Sequence, residues 1–291
     1  MPMSLPRPSS AAIAPRPFLK WVGGKGQLLQ QYRAFFPTQF DTYYEPFLGG
    51  GAVFFFLSSQ LRQAYLTDIN PELVNVYQCV QQNVDEVLHH LAEHRRAHCS
   101  EHYYDVRASE GRSPEERAAR LIYLNKTCFN GLYRENSKGK FNVPMGRYKN
   151  PGIFDPDVLY AASAVLQRAI ITRQTFDHVL DIAQSPRDFV YFDPPYHPIS
   201  ATSNFTGYNR YAFGEAEQRR LFQTFVTLAE RGVQVMLSNS DCPFIRDLYS
   251  TCDRAHIHTI SAVRLVNCNA QRRGRITEVL VTSYKPPLQS I

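Results

Sequence analysis

The chain has 291 residues, 44% hydrophobic and 20% charged, the profile of a soluble globular protein long enough for one α/β domain with an insertion. Its formal charge of +6 and pI near 9.0 favour a polyanionic partner. No apolar run approaches a membrane span, and the six cysteines (79, 99, 128, 242, 252 and 268) form neither a C-x-x-C pair nor a zinc-ligand spacing, so reduced thiols are expected.

Residues 1–17 hold five prolines and no hydrophobic leader core, and they read as a disordered tail. Phe18 to Gly26 opens the folded part, and a helix is expected over 27–36. A strand at Thr42–Tyr44, a Gly-rich turn over Glu45–Gly51, a helix over Ala52–Gln60 and a strand at Ala64–Thr67 ending on Asp68 follow in order. Strand, glycine turn, helix, strand and acid together make half of a nucleotide-binding α/β unit. Glu45 and Asp68 lie 23 residues apart at expected carboxyl strand ends, where an acid suits ribose hydroxyls. Glycines 49–51 would let backbone approach a ligand, yet G-x-G-x-x-G is missing. Gly23-Gly24-Lys25-Gly26 is no P-loop either, since no Ser or Thr follows Lys25. Such a chain suits a nucleoside-like cofactor without a phosphate chain, of which S-adenosylmethionine is one. Trp21 can stack on its adenine and Lys25 can meet its carboxylate; Trp21 as ordinary core is the alternative.

From Pro71 a helical pattern runs past Leu91, and between Asn83 and Gln167 the α/β alternation lapses, as an inserted subdomain would make it. His90, His94, His98 and His102 recur every fourth residue; a solvated helix face is expected, and no metal. Asn125 to Asn150 carries six basic residues against one acid, Glu135, and mixes aromatic, amide and arginine groups of the kind base contacts need.

Alternation resumes near Ala169–Thr172, and the buried-strand run Phe189–Phe192 ends on Asp193-Pro194-Pro195-Tyr196. Neither proline can donate to a ladder, and each restricts the residue before it, so the strand stops on a rigid step. In open α/β sheets ligands bind at that end. The Asp193 carboxylate and the Pro194 carbonyl can accept the two hydrogens of a planar amine while Tyr196 stacks on its ring; a plain Asp-Pro turn is the alternative. His197 to Phe213 is long enough for a lid, or else a surface loop. A helix over 215–231 and a strand over 233–237 follow. A closing strand pair, 256–266 and 276–284, flanks four arginines between Arg264 and Arg275.

Six segments in this order resemble Dam-type DNA adenine-N6 methyltransferases of the α group: Phe18–Lys25, Glu45–Gly51, Asp68-Ile69-Asn70, Asn130-Gly131-Leu132 with Arg134, Phe141–Tyr148 and Asp193–Tyr196. The resemblance covers nearly everything from Phe18 to Pro287. It implies a Rossmann-like α/β methyltransferase sheet with a closing antiparallel strand pair and an inserted, mostly helical DNA-recognition subdomain. The expected division is a catalytic S-adenosylmethionine-binding domain, 18–82 and 168–291, and a target-recognition subdomain, 83–167. Trp21, Lys25, Glu45, Phe47, Gly49, Asp68 and Asp193 would line the cofactor site, and Asp193, Pro194, Pro195 and Tyr196 would form the catalytic step. Lys20 and Tyr148 would read the first guanine of GATC, Leu132 and Pro144 the thymine side, and Arg134 the guanine paired with the last cytosine. Arg147 would grip phosphate, with Arg272, Arg273 and Arg275 on the DNA as well. Phe129 stands where such enzymes often carry a tyrosine that fills the gap left by a flipped base, and Asn130 would steady the orphan thymine.

The expected partner is double-stranded DNA, for a monomeric enzyme without metal or membrane, in the cytoplasm near the nucleoid. Two rivals are a protein glutamine methyltransferase, generally with Asn in place of Asp193, and a DNA-binding regulator that has lost catalysis.

Overall fold

The computed structural model describes residues 13–199, 213–263 and 275–287. The first half runs α1 (Leu29–Tyr32), β1 (Thr42–Glu45), α2 (Ala52–Leu57), β2 (Gln63–Asp68) and then the helices α3 (Pro71–Gln82), α4 (Val84–Ala97), α5 (Ser100–Ala108), α6 (Pro114–Thr127) and α7 (Pro156–Leu166). The second half runs β3 (Ala169–Arg173), α8 (Val179–Ile182), β4 (Asp188–Phe192), α9 (Glu215–Glu230), β5 (Gln234–Ser240), α10 (Pro243–Ser250), β6 (His256–Val263) and β7 (Arg275–Thr282).

The seven strands form one sheet in the order β3-β2-β1-β4-β5-β7-β6. β1, β4 and β5 run parallel, while β7 lies antiparallel to both β5 and β6. This is the mixed α/β, Rossmann-like methyltransferase architecture that the sequence leads one to expect, closing pair included. β4 is buried at every position, as a parallel strand covered on both faces must be. Strand order reverses between β1 and β4, which makes the carboxyl ends of those two strands the topological switch point.

The chain divides into two compact units. Among the described residues, one takes those up to Lys25, Leu48–Leu61 and Leu66–Arg173; the other takes Gly26–Phe47, Arg62–Tyr65 and those from Gln174 onward. In the first unit α3 buries Leu73, Val76, Tyr77 and Val80, one helical face, and packs on α6 and α7. In the second, Leu221, Phe225 and Leu228 of α9 join Val190, Phe192, Val235 and Leu237 of the sheet in one apolar core. Each such side chain withdrawn from water contributes about 1.5–3 kcal/mol before conformational entropy is counted.

Three local expectations need correction. The helix expected past Leu91 breaks at Asn83, whose φ of −136° and ψ of 45° leave the helical region, so α3 and α4 are separate. The apolar period continues across the break, which hides it in sequence. The helix expected over 27–36 shrinks to α1 and a 3₁₀ turn at Arg33–Phe35, because Pro37 forces Phe36 into the extended region. The histidine stripe is not a solvated face. His94 stacks on Tyr123 of α6 at 4.9 Å and lies 3.1 Å from His102, while His98 meets the Tyr123 hydroxyl at 2.8 Å. Burial pushes His94 down to about 4. Among the described residues no group of three or more His, Cys, Asp or Glu could hold a metal ion, and no helix is long and apolar enough to cross a membrane.

Candidate active site and nucleic-acid interface

The second unit carries the step expected to be catalytic, Asp193-Pro194-Pro195-Tyr196, at the switch point. In the β1–β4 register Tyr44 pairs with Val190; Glu45 ends β1 one residue beyond that pair, and Asp193 directly follows Phe192, the last residue of β4. Pro194 is buried, Pro195 exposed, and Asp193 and Tyr196 half-buried. Ser238 of β5 donates its hydroxyl to Asp193 Oδ1 at 2.9 Å. That hydroxyl has one hydrogen, so the neighbouring Tyr191 hydroxyl, 3.0 Å away, donates to Ser238 Oγ. At the other end of the step Tyr196 donates to Glu278 Oε2 at 2.7 Å. Burial raises the Tyr191 and Tyr196 phenols well above their usual range, with the Asp193 charge adding to both, so both remain O–H donors. Glu45 is buried and accepts from the Tyr43 hydroxyl at 2.9 Å. Phe47 stacks on Phe176 at 5.5 Å and meets Phe213 edge-on at 5.6 Å, so this residue of the expected cofactor set stands in an aromatic wall.

The first unit brings Trp21, Gly49 and Asp68 together. Asp68 Oδ2 accepts from the Gly49 N–H at 3.1 Å and Oδ1 from the Asn70 N–H at 2.9 Å. Burial nonetheless raises the Asp68 carboxyl above the usual carboxylate range, the backbone donors opposing it only in part. Gly49 has a φ of 48°, and a Cβ there would lie 2.9 Å from Trp21 Cδ1. The glycine turn therefore admits an indole to the backbone, where the sequence suggests a ligand. Trp21 also stacks on Tyr133 at 5.3 Å, so part of its ring surface is covered by protein. Lys25 is buried and donates to the Gly23 carbonyl at 2.8 Å.

The same unit holds the expected DNA-reading residues. Lys20 and Tyr148 meet, the ammonium 4.6 Å from the ring centre. Asn125, buried at the end of α6, fixes the Lys20 backbone by accepting from its N–H at 2.7 Å and donating to its carbonyl at 2.6 Å. Phe129, 49% exposed, donates its N–H to the Pro144 carbonyl at 2.9 Å, and the Leu132 N–H reaches Phe129 at 3.3 Å. Asn130 has a φ of 54°, the one positive value outside glycine among the described residues. Arg134 opens a short hairpin with Asn142, whose side-chain oxygen accepts from Arg134 Nε at 2.7 Å. Arg147 is exposed, whereas Lys126 is half-buried and pushed down to about 8 by burial, then by Lys20 and Arg16. Arg272 and Arg273 lie outside the described residues, as does most of the expected lid, and Arg275 enters only as the first residue of β7.

Sequence reasoning missed Ser238, Glu278, Tyr191 and Asn125. The only local signal was polar side chains within the strands, Ser238 beside Asn239 and Ser240 in β5 and Glu278 beside Thr277 in β7. Residues 21–266 match the family described as D12 class N6 adenine-specific DNA methyltransferase. A Type II methyltransferase of Lactococcus lactis subsp. cremoris, M1.LlaDCHI, is 44% identical over 92% of this chain and 95% of its own. A second, M.MjaIII of Methanocaldococcus jannaschii, is 39% identical over 92% and 99%. The DNA adenine methylase of Escherichia coli K12 is 36% identical over 94% and 97%. The chain belongs to the D12 class of N6 adenine-specific DNA methyltransferases.

Proposed function

We propose that the protein transfers a methyl group from S-adenosylmethionine to N6 of adenine in GATC sites of duplex DNA, after the adenine has rotated out of the stack. The observation that carries this reading is the carboxylate and phenol of Asp193 and Tyr196, held at both ends of a diproline step at the switch point.

S-adenosylmethionine supplies an electrophilic methyl group on a sulfonium. Asp68 suits its ribose, because a carboxylate disfavoured by burial gains from hydroxyl donors. Trp21, Lys25 and Gly49 complete that set with Glu45, Phe47 and Asp193. Extruding the base costs a few kcal/mol, roughly the loss of its stacking and pairing. The amine lone pair is delocalised into the ring and nucleophilic only weakly. Hydrogen bonds from its two protons to Asp193 and to the Pro194 carbonyl favour the tetrahedral, positively charged nitrogen that develops during attack. Tyr196 would hold the ring so that the nitrogen faces the methyl group. In a direct in-line transfer the N–C bond would form as the S–C bond breaks, its electron pair leaving on sulfur, and the methylated nitrogen would then give up one proton to solvent.

Residues 83–167 serve target recognition. Lys20 and Tyr148 read the first guanine, Leu132 and Pro144 the thymine side and Arg134 the last guanine, with Arg147 on phosphate. Phe129 fills the gap left by the base, and Asn130 steadies its partner thymine. The enzyme acts as a monomer on DNA in the cytoplasm.

Expression in a host lacking adenine methylation, followed by mapping of N6-methyladenine across the genome, tests the reading. Marks at GATC are expected. Marks confined to another short site would overturn the specificity, and their complete absence the activity.

A further inference from the structure

The antiparallel pair β5–β7 does more than close the sheet. Ser240 pairs with Glu278 and Ser238 with Leu280, and side chains alternate along a strand, so Ser238, Ser240 and Glu278 share one face. From that face Ser238 reaches Asp193 and Glu278 reaches Tyr196. Glu278 Oε2 accepts a second hydroxyl, that of Tyr32, at 3.1 Å. Burial, and after it the Glu278 charge, raises the Tyr32 phenol well above its usual range, so it too stays a donor.

We propose that Ser238 and Glu278 are positioning residues for methyl transfer: Ser238 orients the Asp193 carboxylate, and Glu278 anchors the Tyr196 hydroxyl so that its ring keeps one plane and one height above the sheet. This rests on the proposed roles of Asp193 and Tyr196. Three physical points support it. The diproline step fixes the backbone of the tetrapeptide but leaves the χ angles of Asp193 and Tyr196 to be set by their neighbours. A carboxylate that accepts a fixed hydroxyl has lost its freedom to rotate, and it retains lone pairs for an incoming amine. A phenol tied at its para position cannot tilt without giving up a charge-assisted hydrogen bond. Tyr32 makes the anchor two-pronged, since an oxygen shared by two hydroxyls is itself held in place.

The test uses the full-length protein with duplex DNA and S-adenosylmethionine. Glu278→Leu is expected to lower kcat by roughly 10²-fold, the scale of a misplacement near 1 Å, while KM for DNA changes by less than about threefold. Glu278→Gln keeps an acceptor oxygen and is expected to recover most of that loss. In a Tyr196→Phe background, which keeps the ring and lacks the hydroxyl, Glu278→Leu should cost nothing further. Ser238→Ala should lower kcat about tenfold, again with KM little changed. An equal loss from Glu278→Leu in both backgrounds, or a loss carried by KM, would overturn the positioning role. Should Glu278→Leu not fold, Tyr196→Phe alone removes the same hydrogen bond and carries the test: a kcat loss of roughly 10²-fold with KM little changed is expected, and an unchanged kcat overturns the anchor. With ¹³C-labelled tyrosine, the Tyr196 ζ-carbon resonance, assigned through Tyr196→Phe, should move in Glu278→Gln; an unmoved resonance overturns the anchor. A wild-type chain that methylates no adenine refutes the functional reading itself, and it is told apart from failure of the anchor because the resonance reports the contact without turnover.

Discussion

In the proposed reaction Asp193 would have to do two things at once, accept a hydrogen bond from an incoming amine and keep its own geometry while doing so. The second is met by Ser238 at 2.9 Å and the first by the remaining lone pairs of the carboxylate. Asp193→Ala is therefore expected to cut the single-turnover rate at least ~10²-fold, as removal of an oriented charge-stabilising group does, with affinity for duplex DNA retained. Near-wild-type single-turnover rates would refute the role. Gly49 poses a different problem at the same scale. Its positive φ and the indole 2.9 Å from its missing Cβ leave no room for a side chain. Gly49→Ala should destabilise the fold by about 1–3 kcal/mol and displace Trp21. Trp21 is the lone tryptophan of the chain, so its emission spectrum reports that displacement directly. An unshifted spectrum and unchanged denaturation midpoint would contradict it.

At the scale of elements, the packing of α4 and α5 on α6 creates a pH-dependent term. His94 faces His102, His90, Glu93 and Arg120, and burial brings its folded value to about 4 from an ordinary 6.5. Between those two values the unfolded chain binds a proton that the folded chain refuses, so stability rises with pH. It is at its full value above 6.5 and is lost as pH falls toward about 4. Urea midpoints measured across that window should fall with acidification, and His94→Phe, which keeps a ring against Tyr123 but no proton site, should flatten the slope. Equal slopes for the two proteins would count against it. The same helices show what periodicity leaves unsaid. A histidine every fourth residue specifies a stripe, but whether the stripe meets water or Tyr123 depends on the angle at which another helix arrives. The break at Asn83 was illegible for a related reason, since apolar residues continue at helical spacing on both sides of a dihedral change.

For the whole molecule, the charge of +6 is concentrated where the chain would meet phosphate, with Lys126, Arg134, Lys138, Lys140, Arg147 and Lys149 within one stretch. DNA affinity should fall linearly with the logarithm of salt, and replacing Arg147 or Lys149 by Ala should reduce the slope by about 0.9 for each phosphate contact removed. A slope unchanged in both variants would remove those residues from the interface. By itself the sequence determined the strand ends, the rigid step at Asp193-Pro194-Pro195-Tyr196 and the class of chemistry. The first two follow from local rules: prolines that end a ladder, glycines that open a turn and alternation that sets a strand; the class of chemistry rests on the six segments that resemble a known family. Only the tertiary structure decided which groups hold that step, because Ser238 and Glu278 lie 45 and 82 residues from their partners along the chain. The register of β5 against β7 brings them to one face, and that register is set by long-range strand pairing and core packing, which no local window of sequence contains.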